Sequence, residues 1–258
     1  MRKIFTAGVA AALAGLSSAA LATGFSGTVY LTSDYVFRGI SQSSQDPAFQ
    51  GSIDFKEDNG FYAGVWGSNV DFNENELLPD PLEVDDGQVE FDIYVGWGGK
   101  FPNEKAGWDI NLTYFLYPGT DSQLEYDYLE LTPALFYDFG TFNINGKIHY
   151  SPDFFGLAFD DGFYYEANLG IPLQNNFSLG FHVGHQTLDK ETLVPPLPVA
   201  LEDSYTDYSV ALGLAAAGLN FTLAYTDTDL NEKDCLLFAG VGEDVCEGRV
   251  VFTVARSL

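Results

Sequence analysis

The segment Phe163–His185 reads FYYEANLGIPLQNNFSLGFHVGH, and its alternating pattern decides the fold prediction. In both arms apolar side chains occupy every second position, and mostly polar or small residues fill the positions between them. Such strict period-two alternation predicts a β-strand with one apolar face. Gln174-Asn175-Asn176 separates the arms, and Asn tolerates the positive φ angles that tight hairpin turns require. The segment therefore predicts a hairpin whose arms, about ten residues each, are long enough to cross a bilayer when tilted.

The same alternation recurs along the whole chain and predicts about twelve strands, the first of them over Thr28–Phe37. Long and short connections alternate between these strands; Asp71–Gln88 is a long one and Glu57–Gly60, with its Asn-Gly pair, is a short one. This alternation is typical of outer-membrane barrels, which have short periplasmic turns and long external loops. We therefore predict an all-β fold, an antiparallel transmembrane β-barrel. Pro133 interrupts the sixth strand, and a sheet usually tolerates Pro only at an edge or a bulge.

The first 22 residues have the features of a cleaved secretory signal peptide. Arg2 and Lys3 precede a short apolar run, and Ala20-Leu21-Ala22 provides a small-residue cleavage site. The alternative, a membrane-anchoring helix, is disfavoured because the apolar run is too short to span a bilayer. We expect residues 23–258 to form one barrel domain in a Gram-negative outer membrane.

The charge balance excludes one class of partner. The chain has 11 Lys+Arg and 37 Asp+Glu, a net charge of −26, and removal of Arg2 and Lys3 leaves 9 against 37, or −28. Nucleic acid is excluded as a partner because phosphates would be repelled. An acidic chain with 16% aromatic residues in short alternating segments fits an outer-membrane barrel, and a soluble secreted β-sandwich is the alternative.

The chain contains two cysteines, Cys235 and Cys246. Because export leads to an oxidising compartment, we predict that they form a disulfide. A metal site would need more ligands, and no His or third Cys lies nearby in the sequence. We expect no metal and no cofactor.

The N-terminal third of the mature chain resembles a known family. Leu31–Ser43 reads LTSDYVFRGISQS, Asp46-Pro47-Ala48 follows, and Gly60–Val70 reads GFYAGVWGSNV. These stretches resemble the TorF family of putative porins from proteobacteria, most densely over the first three strands. The resemblance implies an outer-membrane channel, and it carries over no functional residues. The chain departs from many barrels in ending at Leu258 rather than at an aromatic residue.

If the apolar faces of the strands meet lipid, the opposite faces line the lumen, where charged side chains cost little. Carboxylates in such a lumen favour the passage of cations. The alternative is that Arg38, Lys56 and Lys147 pair with neighbouring carboxylates in a network that only holds the barrel together. The candidate pore-lining residues are Asp34, Arg38, Asp54, Lys56, Glu90, Asp92, Asp109, Glu130, Lys147, His149 and Glu166.

We predict a porin-like channel for the passive diffusion of small solutes, with outer-membrane lipid and lipopolysaccharide as its surroundings. The alternatives are a structural or adhesive barrel without an open pore and an outer-membrane hydrolase. We expect no enzyme, because the chain has no G-x-S-x-G motif and its only histidines are His149, His182 and His185. Two interpretations of the Pro-rich, apolar loop Gln186–Asp207 stay open: it narrows the barrel mouth, or it packs on its neighbours.

Overall fold

The computed structural model describes residues 24–72, 87–102, 104–121, 124–156, 159–190, 203–231, 234–235 and 243–258. Twelve strands form the barrel: β1 Gly24–Thr32, β4 Ala48–Lys56, β5 Phe61–Asn69, β6 Val89–Lys100, β7 Ala106–Leu116, β8 Tyr128–Asp138, β9 Asn143–Ser151, β10 Phe159–Pro172, β11 Phe177–Lys190, β12 Ser204–Ala216, β13 Leu219–Thr228 and β14 Arg249–Ser257. A small hairpin, β2 Val36–Phe37 and β3 Ile40–Ser41, lies between β1 and β4. No helix in the described ranges is long and apolar enough to span a membrane. The expected signal peptide, residues 1–22, lies outside these ranges.

The barrel is closed, and each strand pairs antiparallel with its neighbours along the chain. Closure is made by β1 and β14, whose register runs from Thr28 opposite Ser257 to Thr32 opposite Thr253. A closed sheet has no edge strand, so every wall strand finds backbone partners on both sides. The prediction of an antiparallel transmembrane barrel of twelve strands is confirmed.

Each wall strand presents an apolar face outward and a polar face inward, as β6 illustrates. Ile93, Val95 and Trp97 are exposed on the outside, whereas Glu90 and Asp92 are buried on the inside. The cause is the two-residue period of a pleated strand, which sends successive side chains to opposite faces. An outward apolar band is the surface that a lipid bilayer accepts.

The two ends of the barrel differ in the length of the connections between their strands. The short ones, residues 57–60, 101–105, 139–142, 173–176 and 217–218, define what we call the turn end. The longer ones, including residues 33–47, 117–127 and 229–248, define the loop end. In the hairpin that opened the sequence analysis, Asn175 and Asn176 have φ of 58° and 62°. These left-handed conformations are the ones that Asn was expected to adopt there.

Two details differ from the prediction. The first strand ends at Thr32 instead of Phe37, and the chain then leaves the wall, where the Thr32 hydroxyl donates a 2.8 Å hydrogen bond to the Asp34 carbonyl. Pro133, by contrast, lies inside β8, a strand that is paired on both sides. It is opposite Ile110 of β7, and the β8–β9 pairing is interrupted between Leu131 and Ala134. The interruption accommodates the missing backbone donor of Pro.

Candidate functional site

Residues 33–47, which we call the lumen loop, fold from the loop end into the barrel interior. Its tip is the turn of the β2–β3 hairpin, where Arg38 and Gly39 both have positive φ. A Cβ on Gly39 would lie 2.5 Å from Cγ2 of Thr228 and 2.7 Å from Cβ of Asp207. Only a glycine fits this close an approach in this conformation. The loop therefore reaches across to the wall formed by β12 and β13.

Arg38 fastens the tip of the lumen loop to the opposite wall. Its guanidinium forms an ion pair with Glu130 of β8 and donates a 2.8 Å hydrogen bond to Oε1 of Gln186 on β11. The guanidinium carbon also lies 4.4 Å from the centre of the Tyr164 ring, a cation–π distance. Arg38 is only 5% exposed, and its buried guanidinium contacts Glu130, Gln186 and the ring of Tyr164.

The base of the lumen loop is tied to the wall through Asp34. One carboxylate oxygen accepts hydrogen bonds from the hydroxyls of Ser41, at 2.6 Å, and Ser43, at 3.2 Å. The other lies 3.0 Å from the guanidinium of Arg249 on β14. Because Ser41 and Ser43 belong to the returning arm of the loop, these bonds hold its two arms together.

A buried apolar cluster lies at the loop end and includes two residues of the lumen loop. It contains the disulfide between Cys235 and Cys246, with an S–S distance of 2.05 Å, as predicted from the sequence. The hydroxyl of Thr228 donates a 3.0 Å hydrogen bond to the Cys246 carbonyl and so connects the disulfide to β13. Burial raises the pKa of the Tyr117 hydroxyl well above its usual value, and the nearby Glu90 carboxylate adds to the shift. The other members of the cluster are Tyr35, Ile40, Ala48, Val70, Phe72, Phe115, Tyr126, Tyr128, Tyr205 and Val245.

Strands β8 to β12 form what we call the paired wall, because its carboxylates have basic partners. His149 lies between two of them, with Nδ1 2.8 Å from Glu130 and Nε2 3.4 Å from Glu166. Lys147 is 2.5 Å from Glu166. Arg38 joins this network through its ion pair with Glu130. The network links β8, β9 and β10 to the lumen loop.

The paired wall continues on β11 and β12 around His182. Its Nε2 lies 2.8 Å from Oδ2 of Asp207, and its Nδ1 lies 2.8 Å from Oδ1 of Asn168. The Tyr164 hydroxyl donates a 2.7 Å hydrogen bond to the other oxygen of Asp207. Both ring nitrogens of His182 are therefore engaged, and neither is directed at Ser209, which faces it across the strands. The arrangement is a hydrogen-bond network and lacks the contact that would activate a serine nucleophile.

Strands β4 to β7 form what we call the acidic wall. Unlike the carboxylates of the paired wall, its carboxylates form no ion pair in the described structure. Asp54 accepts a hydrogen bond from Tyr94, and Asp109 accepts one of 2.8 Å from Tyr62. Glu90 accepts a 3.3 Å hydrogen bond from Tyr35 of the lumen loop. No ion pair among the described residues includes these carboxylates or Asp92. One oxygen each of Glu90, Asp92 and Asp109 is buried without a hydrogen-bond partner there.

Inward-facing tyrosines lie against glycines of the neighbouring strand. Gly96 is next to Tyr62, and Gly184 is next to Tyr164; a Cβ on either glycine would lie within 2.3 Å of the tyrosine ring or hydroxyl. The tyrosine ring therefore occupies the space that a side chain on the glycine would fill, close to the backbone. This placement brings the Tyr62 and Tyr164 hydroxyls to Asp109 and Asp207.

The structure places the predicted pore-lining residues on two kinds of element. Asp34 and Arg38 belong to the lumen loop and not, as expected, to the first strand, because that strand ends at Thr32. The others lie at inward positions of wall strands, namely Asp54, Lys56, Glu90, Asp92, Asp109, Glu130, Lys147, His149 and Glu166. Whether they line a conducting pore stays a prediction.

Sequence reasoning missed two residues of the lumen, Gln186 and Asp207, because both were assigned to a loop. They lie on β11 and β12, which extend past the predicted strand ends. The signal was available: Gln186 continues the parity of His182 and Gly184. The middle of that predicted loop, residues 191–202, lies outside the described ranges, as do most of the acidic residues of the segment Asp71–Gln88.

Comparisons with known proteins agree with this architecture. A family model described as a bacterial protein of unknown function, Gcw_chp, matches residues 17–258, so the chain belongs to that family. No curated protein matches the sequence.

Several solved structures share the fold at low sequence identity. The KdgM porin is 7% identical with a TM-score of 0.54, over 90% of this chain and 99% of that one. The NanC porin is 9% identical with a TM-score of 0.53, over 90% and 98%. The COG4313 outer membrane channel from Pseudomonas putida F1 is 10% identical with a TM-score of 0.51, over 92% and 96%. At these identities the likeness concerns the fold alone.

Proposed function

We propose that this member of the Gcw_chp family is a passive outer-membrane channel for small solutes that prefers cations. The single observation that carries the proposal is the acidic wall, where Asp54 and Asp109 project towards the lumen and form no ion pair in the described structure. Likeness to proteins named as porins and channels, and the sequence resemblance to the TorF family, support a channel. Residues 1–22 would direct export to the Gram-negative outer membrane, where lipid and lipopolysaccharide surround the barrel.

Cation preference follows from the difference between the two walls. On the paired wall, the charges of Glu130 and Glu166 are offset by Arg38 and Lys147 at short range. On the acidic wall, Lys56 and Lys147 attract Asp109 only from beyond ion-pair distance. Its carboxylates therefore act on the lumen, where low-dielectric walls concentrate the field. The electrostatic potential along the path of a permeating ion is therefore negative.

The lumen loop sets the width of the path at the loop end. It is anchored at its base by Asp34 and Arg249 and at its tip by Arg38 and Glu130, so that it extends across the interior. We expect a small unitary conductance, limited by this loop and by the apolar cluster at the loop end. The channel then admits ions and small solutes and excludes larger ones.

The test is single-channel recording of the folded mature protein in a planar bilayer under a KCl gradient, with heat-modifiable gel mobility as the folding control. We expect discrete steps and a reversal potential that indicates K⁺ preference. Asp54→Asn/Asp109→Asn should shift that potential towards zero. Asp227→Asn is the matched control, since Asp227 binds the hydroxyls of Tyr208 and Tyr225 on the outer face. Anion preference, or folded protein without any steps, would refute the proposal.

A further inference from the structure

Glu90 and Asp92 form a pair of carboxylates at the loop end of the lumen. They are two residues apart on β6, so both project inward, with their Cα atoms roughly 7 Å apart. Their carboxyl groups are close enough to repel each other when both are charged. Only 2% of Glu90 and 5% of Asp92 is exposed. The pair is therefore almost completely withdrawn from solvent.

The pair lacks the partners that buried carboxylates require. Oε2 of Glu90 and Oδ1 of Asp92 are fully buried and have no hydrogen-bond partner in the described part of the chain. No basic side chain of that part forms an ion pair with either group, and Arg38 is engaged by Glu130. Buried charges of like sign are strongly unfavourable unless an opposite charge compensates them.

The groups around the pair supply more oxygen atoms. The Tyr35 hydroxyl donates a 3.3 Å hydrogen bond to Glu90, and the Tyr117 hydroxyl lies near the same carboxylate. Ser68 lies directly opposite Glu90 on β5. The described ranges contain no group of three or more His, Cys, Asp and Glu side chains placed to hold a metal ion, so a cation at the pair would rely on two carboxylates and on hydroxyls for its remaining protein ligands. Oxygen ligands of this kind select hard cations such as Ca²⁺ and Mg²⁺ over softer transition metals.

We propose that Glu90 and Asp92 bind a divalent cation of the Ca²⁺ or Mg²⁺ class at the loop end of the lumen. Two positive charges match the two carboxylates, and the unpartnered oxygens Oε2 and Oδ1 become ligands. Tyr35 belongs to the lumen loop and Tyr117 follows β7, so the cation fastens both segments to β6. The inference deepens the proposed function, because it identifies a cation site within the channel, but it does not require conduction to be tested.

The experiment uses Tb³⁺ as the probe and the folded full-length mature protein in detergent. Tyr35 and Trp66, whose ring centres are 5.3 Å apart, lie beside the pair and can sensitise Tb³⁺ luminescence on ultraviolet excitation. We expect a sensitised signal that Ca²⁺ displaces and that Glu90→Gln/Asp92→Asn abolishes. Ca²⁺ should also raise the thermal unfolding temperature of the unmodified protein and leave that of the double variant unchanged.

Asp54→Asn/Asp109→Asn is the matched control, since it removes two carboxylates of the same wall away from the pair and should keep the Tb³⁺ signal. A signal that survives in Glu90→Gln/Asp92→Asn would assign the cation to other acidic groups and overturn the inference. A double variant that is more stable than the unmodified protein, with no response of either to Ca²⁺, would show a shared proton in place of a metal and would also overturn it. Neither result depends on the selectivity measurement, so failure of this inference is distinguishable from failure of the proposed channel.

Discussion

The two walls of the lumen follow the same sequence rule and differ in their electrostatics. On both, polar side chains alternate with apolar ones, and tyrosines lie against glycines of the next strand. The paired wall sets each carboxylate of its charge network beside Arg38, Lys147, His149 or His182. The acidic wall offers its carboxylates hydroxyl donors, from tyrosines and from Ser52, and leaves one oxygen each of Glu90, Asp92 and Asp109 without a partner in the described structure. The comparison shows that the ion pair at the tip of the lumen loop belongs to the paired wall, and under the proposed function the acidic wall is the one that acts on ions.

This division leads to opposite expectations for the removal of a carboxylate. On the paired wall, removal leaves a buried cation without its partner, which costs several kcal/mol. On the acidic wall, removal takes away a charge that forms no ion pair in the described structure, so it costs little. Stability should therefore respond on one wall and ion preference on the other.

The largest effect is expected for Glu130→Ala, which leaves Arg38 and His149 without their shared carboxylate. We expect a loss of about 3–5 kcal/mol in the free energy of unfolding, measured by urea titration in lipid vesicles. Single-channel conductance should rise, because the tip of the lumen loop loses its hold on β8. The control is Arg38→Met/Glu130→Leu, in which both charges are removed and much of the stability should return. Equal losses in the single and double variants would contradict the role of the ion pair.

Removal of the disulfide should produce the next largest effect, and it should be confined to the loop end. Cys235→Ser/Cys246→Ser opens a bridge that spans 11 positions of sequence inside the apolar cluster. By loop-closure entropy we expect a loss of roughly 3 kcal/mol in unfolding free energy. K⁺ preference should stay unchanged, since the disulfide does not touch Asp54 or Asp109. Thiol labelling of the unreduced, denatured parent protein checks the premise, and two reactive thiols would refute it.

A glycine substitution tests how rigidly the paired wall holds Tyr164. In Gly184→Ala the new Cβ would meet the Tyr164 hydroxyl at 1.9 Å, and Tyr164 is fixed by Asp207 and by the guanidinium of Arg38. We expect a destabilisation of about 1–3 kcal/mol, the usual cost of overpacking. Gly146→Ala is the control, because the nearest atom to its Cβ lies at 3.6 Å. If the two variants unfold at the same urea concentration, Tyr164 is freer than the contacts imply.

The sequence predicted the walls better than the lumen loop, for a physical reason. Period-two alternation is a local property, so it identified which side of β6 and β9 faces the lumen from neighbouring residues alone. In the first strand the apolar parity continues through Tyr35 and Phe37, and the pattern extends past the true end at Thr32. What draws the chain inward is contact with residues far along the sequence, such as Glu130 with Arg38.

The same limit explains what sequence analysis could say about the site. It identified the charged residues of the lumen but left two roles open for Arg38, Lys56 and Lys147, conduction or pairing. For Arg38 and Lys147 the structure provides ion pairs, with Glu130 and Glu166. Pairing depends on which strands lie side by side and on side-chain reach, and neither is encoded in alternation. The division into a paired and an acidic wall therefore became visible only with the closed barrel.

The smallest effect on stability and the sharpest test of the comparison come from Asp109→Asn. Asp109 accepts one hydrogen bond from Tyr62 and has a buried oxygen without a partner, so we expect a change of less than about 1 kcal/mol in unfolding free energy. The ratio of K⁺ to Cl⁻ permeability should fall, as reversal potentials would record. Glu166→Gln should behave in the opposite way, because it leaves Lys147 without its partner and removes a charge that was already compensated. A loss of stability in Asp109→Asn, or a loss of cation preference greater in Glu166→Gln, would mean that the two walls do not divide support and conduction between them.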